Sequence, residues 1–69
     1  MKHIKEQIEI FLAESGISQR KLAQASGVHV VYIHRLQSGK QRDVYSANAD
    51  ALRLAMQALD PEAAEKALR

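Results

Sequence analysis

Apolar residues recur along the chain at intervals of three and four, which is the period of an amphipathic α-helix. Strict alternation is scarce and no Asn-Gly or Asp-Gly hairpin signal occurs, so the pattern predicts an all-α protein. Helices are expected over residues 2–15, 19–25, 30–38 and 61–68. A further helix, the fourth in chain order, is expected to begin after an N-cap at Ser46 or Asn48. We expect one compact five-helix domain over residues 1–69, because so short a chain has room for only one core.

Capping residues mark the ends of these predicted helices. A glycine follows each of the first three, at Gly16, Gly27 and Gly39. Glycine at such a position commonly ends a helix. Ser18 is a good N-cap for the second helix, and His29 is a weaker one for the third. Asp60 followed by Pro61 is a start signal for the fifth.

One side of each predicted helix carries the apolar residues expected to form the core. These are Ile4, Ile8, Phe11, Leu12, Leu22, Ala23, Val28, Ile33, Leu36, Leu52, Ala55, Met56 and Leu59. Ala25 is a further candidate, whereas Ile10 lies on the opposite side of the first helix and is not explained by a single core. The fifth helix is too short to be stable alone, so it is expected to pack on the first helix or on a second copy.

The charge of the chain is concentrated in its middle. Residues 15–42 contain five basic residues and no Asp or Glu, a net charge of +5, while residues 1–14 carry −1 and residues 43–69 carry −2. The whole chain therefore has a formal net charge of only +2. A concentrated basic segment is typical of a phosphate-binding surface, and the alternative is a solvated face with uneven charge.

Several classes of protein are disfavoured by what the sequence lacks. The absence of cysteine excludes a disulfide framework and cysteine-bound zinc. His29 and His34 are five residues apart, which is wrong for one helical face, and no H-E-x-x-H, P-loop or G-x-S-x-G motif occurs. We expect no enzymatic activity, metal, cofactor or small-molecule ligand. Because no membrane span or signal peptide is evident, a cytoplasmic protein is expected.

Residues 19–38, QRKLAQASGVHVVYIHRLQS, have the features that two closely packed helices need. The small Ala23 permits close approach of one helix to the other, and Gly27 permits a tight turn. Ile33 and Leu36 anchor the second helix of the pair on the first. This arrangement is the one that a helix-turn-helix requires.

The same stretch resembles the helix-turn-helix motif of the Cro and phage-repressor (lambda-repressor-like) family. The positions that match are Gln19, Leu22-Ala23, Gly27-Val28, Ile33, Leu36 and Gly39-Lys40. The resemblance covers residues 4–59 and implies a five-helix domain that binds double-stranded DNA, with its third helix as the recognition helix. At Val30 and Val31 the family often has Gln, Ser or Thr, so the base contacts of this chain are expected to differ.

The third predicted helix has a face turned away from its core residues. At about 100° per residue, this face carries Val30, Val31, His34, Arg35 and Ser38. Arg35 can bond guanine O6 and N7, and Val30 or Val31 can pack on a thymine methyl. We therefore predict base contacts for Val30, Val31, His34 and Arg35. As alternatives, Val30 tucks under the first helix of the pair, Val31 has no role or contacts protein, and Arg35 contacts phosphate or forms a salt bridge.

Phosphate contacts are predicted around that face. The residues are Gln19, Arg20, Tyr32, Ser38, Lys40, Gln41 and Arg42. Gln19 resembles the family's phosphate-binding glutamine and lies at the positive end of the second helix. Lys40 and its two successors follow the recognition helix and can track the DNA backbone.

These observations lead us to expect a transcriptional regulator that binds a palindromic operator as a homodimer, and the resemblance implies a Cro-like repressor of a phage or prophage. One recognition helix covers only a few base pairs, so two copies one helical turn apart are needed. Apolar residues left over by a single core are Ile10, Val44, Tyr45, Leu54 and Leu68, and the dimer contact is placed on Val44, Tyr45 and Leu68. The alternative is a helical protein-interaction module, or an antitoxin-type component, with weak or no DNA binding.

Overall fold

The computed structural model of the chain describes residues 3–41 and 45–69, and these residues form helices and no strand. The elements are α1 (Ile4–Ser15), α2 (Gln19–Ser26), α3 (Val30–Ser38), α4 (Ser46–Leu59) and α5 (Pro61–Leu68). The prediction of an all-α, five-helix protein is confirmed. None of the helices in these two ranges is long and apolar enough to cross a membrane.

The turn between α2 and α3 depends on Gly27, which ends α2 with a φ of 77°. This left-handed conformation disfavours residues with a Cβ atom by roughly 1–2 kcal/mol. The Gly27 amide donates to the Ala23 carbonyl at 2.9 Å and closes the last turn of α2. At the other side of the turn, His29 is the N-cap of α3, as predicted. Only three residues therefore separate the two helices.

The start of α4 differs from the prediction. Tyr45 is its N-cap and makes no side-chain capping bond, while Ser46 is the first helical residue and Asn48 lies within the first turn. The prediction of a cap at Ser46 or Asn48 is therefore wrong. At the start of α1, His3 is an N-cap that the sequence did not indicate, and its Nδ1 accepts the Lys5 amide at 3.1 Å.

The core contains the predicted apolar residues. All of them are buried except Leu12 and Leu59, which are half-buried against the same cluster. Ala25 is exposed, so its assignment to the core is wrong. The half-buried Ser26 continues the inner face of α2 instead, because it lies one helical turn after Leu22.

The fifth helix packs within the same molecule. It contacts both α1 and α4, and it buries Ala63, Ala64 and Ala67. The expectation that it packs on the first helix is confirmed. Ile10 is half-buried against the core, so the prediction that the core does not explain it is wrong.

Candidate nucleic-acid interface

Two packed helices, α2 and α3, form the framework of the candidate site. The inner face of α3 is fixed in the core by Ile33 and Leu36, neither of which has any exposed surface. Val28, in the turn, is also buried. The outer face of α3 therefore has a definite orientation relative to α2.

The outer face of α3 presents most of the residues predicted to contact bases. Val31 is 50% exposed. His34 and Arg35, which lie three and four residues further along the helix, are also exposed. Val30 is different, because it is half-buried against the core. It lies three residues before Ile33 and so shares the inner side of the first turn. The structure thus favours the alternative in which Val30 packs beneath the neighbouring helix.

A shallow groove runs along the exposed side of α3. It is lined by His29, Val31, Tyr32, Arg35 and Gln41. Tyr32 is half-buried, with its apolar part against the core. The groove therefore combines one exposed aliphatic side chain with several polar ones. Such a mixture matches the edges of base pairs, which carry both hydrogen-bonding groups and methyl groups.

His29 lies between this groove and a second one. The second groove brings Arg20 of α2 beside His29 and Val30 at the start of α3. The His29 Nδ1 accepts the backbone amide of Val31 at 3.1 Å. Because Nδ1 is the acceptor, the ring proton of the neutral imidazole is on Nε2. His29 is therefore both a cap of α3 and a side chain of the exposed surface.

Replacing His29 by alanine is expected to lower the free energy of unfolding by about 1 kcal/mol, because the Val31 amide loses its partner. His29→Ser is expected to retain most of the stability, since a serine hydroxyl restores the cap. Urea unfolding measured by circular dichroism tests both. His34→Ala, at an exposed histidine of the same helix, is the matched control, and an equal loss in both alanine variants would contradict the capping role.

Of the residues predicted to contact phosphate, those that the structure describes lie on α2, on α3 and directly after α3. Gln19 is half-buried, and its side-chain amide donates to Oε1 of Gln37, which links the start of α2 to α3. The Ser38 hydroxyl donates to the Arg35 carbonyl at 3.2 Å. Arg20 and Lys40 are exposed. Gln37 was not among the predicted site residues, because only its hydrogen bond to Gln19, which is distant in the sequence, shows that it belongs to the site.

The chain turns back over the end of α3 after Gly39. The amides of Lys40 and Gln41 both donate to the Arg35 carbonyl, at 3.0 and 3.2 Å. This turn keeps the Lys40 side chain exposed and places the half-buried Gln41 in the groove beside α3. Arg42, the next predicted phosphate contact, lies outside the described residues.

The basic residues of this surface are not compensated by the ion pairs that the described part of the chain contains. Those pairs join Arg53 to Asp50, Lys66 to Glu14 and Arg69 to Glu65. All three lie outside residues 15–41. The described basic residues of this segment therefore take part in none of the three pairs.

Two of the apolar residues that a single core was not expected to explain are strongly exposed. Tyr45 is 76% exposed and Leu54 is 66% exposed. Leu68 is half-buried against the core, as is Ile10. Val44 lies outside the described residues. Of the described apolar residues that a single core was not expected to explain, Tyr45 just before α4 and Leu54 within it are therefore the exposed ones.

A scan of the chain against protein-family models and searches of curated proteins and of solved structures found no match. The lambda-repressor-like resemblance and the helix-turn-helix assignment remain predictions from the sequence. Any functional interpretation thus depends on the chemistry and geometry of α2, α3 and their surroundings.

Proposed function

We propose that this protein is a sequence-specific regulator that binds double-stranded DNA with α3 in the major groove. The observation that carries the proposal is the division of α3 into two faces. Leu36 and its inner neighbours are buried, while Val31 and Arg35 are exposed on the opposite side. A helix held in this way offers a fixed row of side chains, and the major groove is wide enough to admit it.

The exposed side chains suit the chemistry of base edges. The guanidinium of Arg35 can donate to both O6 and N7 of guanine, and Val31 can pack on the methyl group of thymine. His34 can bond to a base or to a phosphate. These three side chains provide both polar and apolar contacts, which sequence recognition requires.

The surrounding charge suits the DNA backbone. Arg20 and Lys40 are exposed, Arg20 lies beside His29 and Val30 at the start of α3, and residues 15–42 contain no carboxylate. Each phosphate that such a residue neutralises steepens the fall of affinity with salt, by a slope of about −0.9 per contact. Binding is therefore expected to weaken strongly as the salt concentration rises.

A homodimer on a palindromic operator is the form of the complex that we propose. Two recognition helices would then contact half-sites about 10 base pairs apart, one turn of the DNA. The exposed Tyr45, one of the residues predicted for the dimer contact, supplies apolar surface for contact between the two copies. The resemblance to Cro and phage repressors makes a Cro-like repressor of a phage or prophage the regulator that we propose.

In vitro selection from random duplexes, followed by sizing of the complex, tests this proposal. The expected result is a palindromic consensus bound by two copies of the chain. No enrichment at low salt would contradict DNA binding. A consensus without two-fold symmetry, bound by one copy, would contradict the dimer alone.

A second candidate function is a protein-interaction module or antitoxin-type component that keeps the fold with weak or no DNA binding. The half-exposed Val31, together with Tyr45 and Leu54, favours it, because exposed apolar side chains suit a protein partner. The acid-free segment 15–42 favours DNA instead, since a protein-binding surface has no need to exclude every carboxylate. Failure of the selection experiment would leave this candidate.

Replacing Lys40 by alanine is expected to weaken binding to all DNA sequences alike and to reduce the salt slope by about one for each bound copy of the chain. The reason is that an exposed lysine that follows α3 in the chain neutralises a phosphate without contacting a base. Binding titrations on the selected duplex and on an unrelated duplex, each at several salt concentrations, measure this effect. Lys66→Ala on α5 is the control and should leave both quantities unchanged, whereas an altered consensus in Lys40→Ala would contradict the assignment.

A further inference from the structure

We infer that Val31 and Arg35 act as one unit that recognises a guanine together with a thymine methyl on the neighbouring base pair. The inference rests on the proposed function and specifies which bases the protein selects. It concerns the groove along the exposed side of α3. The two side chains line that groove together, and they differ in chemistry.

The spacing of the two residues fits neighbouring base pairs. Val31 and Arg35 are four positions apart on one helix, so their Cβ atoms are about 5–6 Å apart. Successive base pairs are stacked about 3.4 Å apart along the DNA. A long arginine side chain readily spans the difference between the Cβ separation and the spacing of the base pairs. With Val31 over one base pair, the Arg35 guanidinium therefore reaches the next.

The apolar partner must be Val31, because Val30 is half-buried against the core. Val31 is 50% exposed, and its side chain has no hydrogen-bonding group. In the major groove the apolar group that distinguishes bases is the C5 methyl of thymine. Val31 thus selects thymine by contact with this methyl group.

The polar partner must be Arg35 and not His29, although both line the groove. The His29 Nδ1 is occupied by the Val31 amide, so its imidazole can offer only one donor. Arg35 is exposed and presents two parallel donors to guanine O6 and N7. Arg35 therefore contacts the guanine, and Val31 alone contacts the neighbouring methyl group.

Uracil in place of thymine tests the inference without any change to the protein. The probe is the duplex obtained by selection, remade with deoxyuridine at the thymine beside the guanine, which removes only the methyl group. We expect an affinity about fourfold lower per half-site, the effect of one methyl removed from an apolar contact. Deoxyuridine at thymines distant from that guanine should have no effect.

Two variants assign the effect to the residue. Val31→Ser should bind the thymine and uracil duplexes equally, because both γ-methyl groups are gone. Leu54→Ser replaces an exposed leucine of α4 and should keep the fourfold ratio. Since each ratio compares two duplexes with one protein preparation, it does not depend on the folded fraction or on dimer strength.

The outcomes separate this inference from the proposed function. A selected consensus that is bound equally well with thymine or uracil would overturn the inference and leave DNA binding intact. The same holds for a consensus without an adjacent guanine and thymine, or for discrimination that persists in Val31→Ser. Absence of any enrichment would overturn both.

Discussion

Replacing Leu36 by alanine is expected to lower the free energy of unfolding by about 2–5 kcal/mol. Leu36 has no exposed surface and fixes the inner face of α3 in the core. The shorter side chain loses its apolar contacts and leaves a cavity. A domain of this size has a total stability of roughly 3–10 kcal/mol, so the variant would lose a large share of it.

Urea unfolding followed by far-ultraviolet circular dichroism measures this loss. Leu54→Ala is the matched control, because it makes the same substitution at a leucine that is 66% exposed. Its stability should change by less than about 0.5 kcal/mol. Similar losses in the two variants would show that Leu36 does not anchor α3. The DNA affinity of the fraction of Leu36→Ala that remains folded should be close to that of the original chain.

Arg35→Ala, one position before Leu36, is expected to change DNA binding and to leave the stability of the fold almost unchanged. Its stability should stay within about 0.5 kcal/mol of the original, since Arg35 is exposed. Its DNA binding should weaken by about 1–3 kcal/mol per half-site and lose its preference at one base position of each half-site. The reason is that alanine cannot replace two parallel hydrogen bonds to a guanine.

Repeated selection with the variant, and titrations on duplexes that differ by one base pair, measure this change. An equal loss on every sequence would mean that Arg35 contacts only phosphate. Arg69→Ala, at the exposed end of α5, is the control and should keep the original consensus. Leu36→Ala and Arg35→Ala together separate anchoring from recognition on a single helix.

The sequence predicted α3 well because local signals agreed there. The spacing of Ile33 and Leu36 defines its inner face, and Gly39 ends it. Its first turn was harder to predict, because Val30 is apolar and lies close to the boundary between the two faces. Only the packing of the two helices shows that Val30 is half-buried while Val31 remains exposed.

Other features depend on partners distant in the sequence. Gln7 is buried because its Oε1 accepts a hydrogen bond from Arg53 Nε at 2.9 Å, which joins α1 to α4. The link between Gln19 and Gln37 is of the same kind. A periodicity argument assigns such polar residues to the surface, because it contains no information about the partner. In the candidate site, the sequence therefore predicted which side of α3 is exposed but not the hydrogen bond between Gln19 and Gln37.

The alanine-rich contact of α5 has a consequence for how rigidly the domain is held. Ala63, Ala64 and Ala67 are buried against the rest of the protein. Alanine has no side-chain rotamers to lose, so docking α5 restricts the backbone but almost no side-chain motion. The short methyl groups also allow the helix backbones to approach closely. The packing of α5 therefore costs little side-chain entropy, and this helps a chain of 69 residues to hold α1 and α4 in place.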